Sequence, residues 1–242
     1  MMKNNLPVLI MKNMVLFPGS EVRLEFDNQT DKRLMKLSEN YYNNNILVVN
    51  PKDILEVNPD SSELPDFGIV GKIKMKIDMP NGKTRAIIGG YQRVKVHSYT
   101  REEDIFEALV TPVTIDDLAL KEELAYVRTL IKKIELYVKQ VPYISNAILG
   151  QIAGIDNIEQ LTDAVSIFLP LNHDRQLEYI KESSSIKRVK MIIEDINRDI
   201  EILKLEEKIE STVAKELDET QKEFVLREKI RVIKEELGRG FK

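Results

Sequence analysis

The feature that most constrains the fold is the stretch of residues 186–237, which contains neither Gly nor Pro. Because these two residues interrupt helices most strongly, the stretch predicts one uninterrupted helix. At about 1.5 Å per residue, this helix would be roughly 75–80 Å long. Apolar residues recur at spacings of three and four over residues 189–203 and again over 226–237, as in a coiled coil. The serines at 183–185 can supply the N-cap.

Such a long helix needs a partner for its apolar stripe, since most of the stability of a helix comes from packing that stripe. The helix could fold back on its own domain, or it could form coiled-coil contacts with another subunit. The preceding helical segment is too short to cover the whole stripe, which favours the second arrangement for the distal half. The expected subunit or ring contacts are Phe224, Leu226, Ile230, Ile233 and Leu237.

Residues 1–115 have the pattern of strands. Polar and apolar residues alternate strictly over 72–79, which predicts a strand with one buried face. Pro-Asn-Gly follows at 80–82 and indicates a hairpin turn. Gly89 and Gly90 are expected to break the returning strand. One helix is predicted near residues 29–42, so this part of the chain is expected to be a small β-barrel-like domain with a packed helix.

Residues 116–184 change to a helical period. Apolar residues spaced by three and four cover 124–141, and Pro142 ends that helix. Asp156 and Glu159 resemble a capping box for the next helix, and Asn172 can cap a third. The predicted fold class is therefore α+β, with a β-rich domain at 1–115, a helical bundle at 116–184 and one very long helix at 185–242.

Composition and charge exclude several classes of function. The chain has no Cys, which excludes disulfides, thiolate nucleophiles and Cys-based zinc sites. Basic and acidic residues number 15 and 15 in 1–115, 7 and 11 in 116–184, and 14 and 14 in 185–242. No block is basic enough to make nucleic acid the expected partner. No segment approaches the roughly 18 apolar residues of a membrane helix, so we expect a cytoplasmic protein without membrane contact.

The motifs of catalysis are incomplete. Gly82, Lys83 and Thr84 resemble the end of a phosphate-binding loop, but Ile77 stands where that loop needs Gly. The two histidines lie in different parts of the chain. Carboxylate pairs such as Asp116 and Asp117 are expected to be solvated. We therefore expect no catalytic residue, no metal site and no cofactor in this chain.

Five segments, in order, resemble the N-terminal region of the bacterial LonA-type Lon proteases. They are residues 6–19, 67–73, 80–83, 88–94 and 220–238. The last segment, which reads TQKEFVLREKIRVIKEELG, resembles the most specific helix signature of that family. The resemblance covers essentially the whole chain, although Gly89 stands where the family commonly has Glu.

This resemblance implies a non-catalytic fragment of a larger machine. Full-length proteins of the family are cytosolic ATP-dependent serine endopeptidases that degrade misfolded and regulatory proteins as homohexamers. Their AAA+ ATPase domain, which binds ATP and Mg, and their Ser–Lys dyad follow the long helix. The N-terminal region would recognise unfolded, damaged or tagged proteins and support hexamer assembly.

Candidate substrate contacts lie in the predicted turns. Met14, Phe17, Pro18 and Met79 are the candidates, because turns and flexible Met side chains provide adaptable apolar surface. The alternative is a stand-alone small-β module that binds a ligand or RNA and oligomerises through the helix. A basic strand face would support that alternative, formed by Lys72, Lys74, Lys76 and Lys95.

Overall fold

A computed structural model of the chain describes residues 4–53, 55, 58–114, 116 and 118–239, with the backbone alone at 237–239. The strands in this part of the chain are β1 (Asn4–Ile10), β2 (Glu21–Phe26), β3 (Asn45–Val49), β4 (Phe67–Asp78), β5 (Thr84–Glu102) and β6 (Ile105–Pro112). The α-helices are α1 (Gln29–Tyr41), α2 (Leu120–Gln140), α3 (Ala147–Ile152), α4 (Ile158–Ser166), α5 (His173–Lys181) and α6 (Ser185–Arg239). The predicted α+β fold class is confirmed.

The strands close into a small barrel. β4, β3, β1 and β6 follow one another in the sheet, and β5 pairs with both β4 and β6. β5 can pair with both because it is 19 residues long, and its two halves serve different neighbours. β2 pairs with the first half of β5, outside the ring. The barrel interior is apolar, with Leu47, Val70 and Val110 among its buried side chains.

The predicted break at Gly89 and Gly90 is wrong, because β5 runs through both residues. A Cβ at Gly90 would lie 2.5 Å from the carbonyl oxygen of Phe17. Glycine at this position therefore lets the turn before β2 approach the strand closely. The Gly19 amide donates to the Gly90 carbonyl, and the Gly90 amide donates to the Ser20 carbonyl, each at 2.9 Å.

Three helices begin after an asparagine that acts as the N-cap. α1 begins after Asn28, whose side chain accepts from the Asp31 amide at 2.7 Å. The cap of α4 is Asn157, which accepts from the Gln160 amide at 3.0 Å, so the prediction of Asp156 was wrong by one residue. Asn172 caps α5 as predicted. α2 ends two residues before Pro142.

The long helix α6 has 55 residues, which corresponds to about 80 Å. At its start, the Ser184 hydroxyl accepts from the Lys187 amide at 3.3 Å. Asp116 also accepts there, from the hydroxyls of Ser184 and Ser185 at 2.9 Å each and from the Ile186 amide at 3.2 Å.

Asp116 is therefore a helix cap, and the expectation that it is simply solvated was wrong. Although burial opposes ionisation, the hydrogen bonds from Ile186, Ser184 and Ser185 lower the pKa of Asp116. Its predicted companion Asp117 lies outside the described residues.

The described chain forms two units, one up to residue 195 and the other from residue 196 onward. The first unit contains the barrel, α2 to α5 and the start of α6. The division into domains at 1–115, 116–184 and 185–242 stays a prediction.

Candidate functional site

The outer face of β2, β5 and β4 carries an exposed apolar row. In the register of these strands, Met75 lies opposite Ile87, and Ile87 lies opposite Arg23. Ile77 lies opposite Arg85 in the next row. Met75 is 50% exposed and Ile77 is 49% exposed. Met75, Ile77 and Ile87 are neighbours on this face, and we call the three together the apolar row.

A β-bulge at Lys74 creates this row. Ile73 pairs with Ile88 and Met75 pairs with Ile87, so Lys74 has no partner in the ladder. An extra residue turns every later side chain of the strand to the opposite face. The alternation over 72–79 predicts one buried apolar face, and this is correct for Ile73 but wrong for Met75 and Ile77.

Ion pairs surround the apolar row. Lys74 pairs with Glu21 at 2.5 Å, and Glu25 accepts from both Lys83 and Arg85. These partners lower the pKa of Glu21 and of Glu25. Because the groups are exposed, salt screens them. The face is thus apolar at its centre and charged at its rim, as in many protein-binding surfaces.

The four predicted substrate contacts lie in different surroundings. Met14 is 44% exposed in the segment between β1 and β2. Phe17 and Pro18 are buried in the turn that follows. Met79 is partly buried at the end of the β4–β5 hairpin. Their role as substrate contacts stays a prediction, and sequence analysis missed the apolar row because a bulge leaves no clear sequence pattern.

A groove between the barrel and α4 is a second candidate region. This groove has a volume of about 690 Å³. Pro18, Gly90 and Gln92 line its barrel side, and Ile167 and Phe168 line its α4 side.

Four charged side chains form a cluster at this groove, three of which line it, whereas Arg188 is fully buried. Arg93 of β5 binds Asp163 of α4 through two hydrogen bonds, of 2.7 and 2.5 Å. Arg93 also donates to Glu159 at 3.2 Å. Arg188 of α6 lies 2.5 Å from Glu159, an ion pair that lacks hydrogen-bond geometry. Because each arginine faces both carboxylates, the cluster joins three elements of the fold.

Arg188 is fully buried and has further hydrogen-bond partners. Its guanidinium donates to the carbonyls of Glu182 and Ser183 at 2.7 and 3.1 Å and to the Thr162 hydroxyl at 3.2 Å. Burial and the nearby Arg93 lower the pKa of Arg188, and the two carboxylates oppose this effect. Buried ion pairs add little net stability over apolar packing, but the loss of one partner leaves a buried charge unpaired. The cluster therefore holds α4 between the barrel and the start of α6.

The predicted contacts of the distal helix are exposed. Phe224 is 69% exposed, and Leu226, Ile230 and Ile233 are each more than half exposed. The side chain of Leu237 lies outside the described residues. Val225 and Val232 are also exposed, and they line one shallow surface region together with Phe224 and Ile233. Their role in subunit or ring contacts stays a prediction.

Two further findings concern only the described part of the chain. No cluster of three or more His, Cys, Asp or Glu side chains suited to a metal ion occurs there. None of its helices combines the length and apolar character that crossing a bilayer requires.

Comparison with known proteins supplies the family. Residues 5–198 match the profile of the ATP-dependent protease La (LON) substrate-binding domain. The Lon protease of Brevibacillus choshinensis is 28% identical over 98% of this chain and 30% of its own length. Lon protease 1 of Bacillus subtilis (strain 168) is 27% identical over 98% of this chain and 30% of its own length.

Solved structures agree on the fold. The N-terminal domain of Mycobacterium avium complex Lon protease superposes with a TM-score of 0.65 at 16% identity, over 80% of this chain and 98% of that chain. The Lon N-terminal domain protein from Xanthomonas campestris gives 0.55 at 16% identity, over 78% of this chain and 97% of that chain.

The predicted family resemblance is therefore confirmed. The chain spans about 30% of the length of the curated relatives it matches. Since the profile covers most of the chain and the relatives align along nearly all of it, this chain belongs to the LON substrate-binding domain family, the N-terminal region of Lon proteases.

Proposed function

We propose that this chain binds unfolded, damaged or tagged protein segments for an ATP-dependent Lon protease that degrades misfolded and regulatory proteins. Family membership supports a substrate-binding role. The observation that carries the proposal is the apolar row, because Met75 and Ile77 are half exposed on the outer face of the sheet. Apolar side chains on the surface of a sheet suit segments that have lost their own core.

Each contact of this kind is weak. Burying apolar area contributes about 25 cal/mol per Å² before the entropy of ordering the segment is subtracted. Several copies of the chain in one assembly would raise the effective affinity without new contacts. Met14 and Met79 would extend the apolar surface. The buried Phe17 would become a contact only if its turn opened, whereas Pro18 already lines the groove beside α4.

Retention on immobilised chain tests substrate binding. We expect the unfolded form of a model protein to be retained and its folded form to pass. Replacing Met75 and Ile77 by Ser should abolish most of the retention. The matched control replaces two exposed leucines of α2, Leu120 and Leu136, by Ser and should retain the unfolded form as before. Equal retention of the folded and unfolded forms would contradict the proposal.

We further propose that the distal part of α6 supports assembly of the homo-oligomer, a hexamer in the full-length protein. The exposed Leu226 and Ile230 support this, because a helix with a wet apolar stripe gains stability from a partner. Sedimentation over a wide concentration range should show association that is lost when both residues become Lys. Replacing the exposed Glu219 by Lys is the control. A chain that stays monomeric at every concentration would contradict this part.

Catalysis is assigned to the part of the protein beyond this chain. In the full-length protein, the AAA+ ATPase domain would bind ATP and Mg. A Ser–Lys dyad, also beyond this chain, would cleave peptides in the cytoplasm. The purified chain should therefore neither hydrolyse ATP nor degrade casein. Lys74 and Lys76, two of the four lysines of the basic strand face, pair with Glu21 and Glu39, which weakens the support for an RNA-binding module.

A further inference from the structure

The second half of β4 is an open strand edge. β3 pairs only with residues 69–72 of β4, and no strand in the described ranges pairs with residues 74–78 on that side. On the other side, the Met79 amide donates to the Lys83 carbonyl at 2.7 Å. Alternate residues of an antiparallel strand bond to the same neighbour. The backbone groups of Lys76 and Asp78 therefore point away from β5, towards the open edge.

A basic groove lies between this edge and α1. Its volume is about 230 Å³. Of the described side chains that line it, five are cationic and only Asp78 is a carboxylate; the cations are Lys32, Arg33, Lys36, Lys76 and Lys83.

Two of these cations have no carboxylate partner. Lys32 donates to the carbonyl of Gly82, and no hydrogen bond or ion pair joins the side chain of Lys36 to another described residue. Lys32 and Lys36 are one helical turn apart on α1, so they share a face of that helix. The groove thus offers two adjacent ammonium groups to a carboxylate.

The two sides of the edge have opposite character. Met75 and Ile77 are exposed on the outer side. Lys76 faces α1, where it pairs with Glu39. A polypeptide strand added to the edge would present alternate side chains to these two sides. We propose that the edge of β4 binds an extended polypeptide segment in which apolar residues alternate with Asp or Glu.

This inference rests on the proposed function and names the class of segment that is bound. Apolar side chains of the segment pack on Met75 and Ile77, and its carboxylates reach Lys32 and Lys36. Its backbone pairs with Lys76 and Asp78. A second copy of the chain is disfavoured at this edge, because the cationic side chains of the groove would meet those of the other copy.

Three labelled, capped octapeptides test the sequence pattern. The first alternates Val and Glu, the second has the same composition with four Val followed by four Glu, and the third alternates Val and Lys. Fluorescence anisotropy should show the first binding roughly tenfold tighter than the other two. Equal affinity of the three peptides would overturn the inference.

Two variants test the site. Lys36→Glu should weaken binding of the Val–Glu peptide roughly fivefold and strengthen binding of the Val–Lys peptide. Lys121→Glu, which changes an exposed lysine of α2, should alter the binding of neither peptide. An effect of equal size in both variants would indicate nonspecific charge and overturn the inference.

Amide exchange and an RNA probe complete the test. Binding of the Val–Glu peptide should slow exchange at the amides of Lys76 and Asp78, and unchanged exchange there would overturn the inference. Octauridylate binding tighter than any peptide and lost in Lys36→Glu would assign the groove to RNA instead. If immobilised chain retains an unfolded protein but the three peptides bind equally, only this inference fails. If neither is bound, the proposed function fails as well.

Discussion

The two ends of α6 differ in burial although both are helical. Val189 and Ile192 are buried near its start, whereas Phe224, Leu226 and Ile230 are more than half exposed near its end. Within the single chain, helical structure in the distal part therefore gains little from burial. It rests on the absence of Gly and Pro and on ion pairs one turn apart, such as Arg227 with Glu223. The comparison shows that local sequence can favour a helix, whereas burial of its apolar side chains needs the surface of another element or another chain.

The largest expected effect separates a buried arginine from an exposed one on the same helix. Arg188→Met leaves Glu159 and Asp163 with one cationic partner fewer, so the free energy of unfolding should fall by about 3–5 kcal/mol. Arg227→Met removes only an exposed pair and should leave the urea midpoint unchanged. Equal midpoints for the two variants would show that the charged cluster does not hold the fold together.

An intermediate effect is expected for two isoleucines. Ile192→Ala removes a fully buried side chain and should cost about 2–5 kcal/mol. Ile230→Ala changes a half-exposed side chain and should cost less than about 0.5 kcal/mol in the isolated chain. Thermal unfolding at low protein concentration measures both. A large cost at Ile230 would reveal a partner for the distal helix even under dilute conditions.

The smallest expected effect compares two aspartates and depends on pH. Asp116→Asn removes the charge that caps α6, and should cost about 1 kcal/mol at neutral pH. Because the folded state lowers the pKa of Asp116, this stabilisation is complete above the unfolded value near 3.8 and is lost as the pH falls through the lowered pKa.

Urea titrations from about pH 6 down to about pH 2 should therefore bring the midpoints of Asp116→Asn and the original chain together at the acidic end. The matched control is Asp218→Asn, which breaks an exposed pair with Lys222 and should show no such convergence. A constant difference across the pH range would rule out the charge of Asp116 as the cause.

Local patterns predicted the elements of the fold well. The strands, α1 and α6 follow from alternation, helical spacing and the absence of Gly and Pro. The caps at Asn28 and Asn172 follow from residue type, although the first was not predicted specifically. The approximate positions of turns also follow, because Asn-Gly at 81–82 tolerates the positive φ that Gly82 adopts, +78°.

Long-range arrangements could not be predicted in this way. Arg93 and Asp163 are 70 residues apart in sequence, and no local pattern indicates that they meet. The bulge at Lys74 depends on how β4 pairs with β5, so strict alternation concealed the exposure of Met75 and Ile77. Residue type alone predicts a strand break at Gly90, because the close approach of Phe17 exists only in three dimensions.

The closure of the barrel has a consequence for synthesis on the ribosome. β1 at the start of the chain pairs with β6, where Leu6 lies opposite Ala108. Because translation adds about 5–20 residues per second, β6 is synthesised roughly 5–20 s after β1. β3 can pair with β1 earlier, but during that interval the other edge of β1 has no partner, and chaperones that shield emerging chains would act on it before the ring can form.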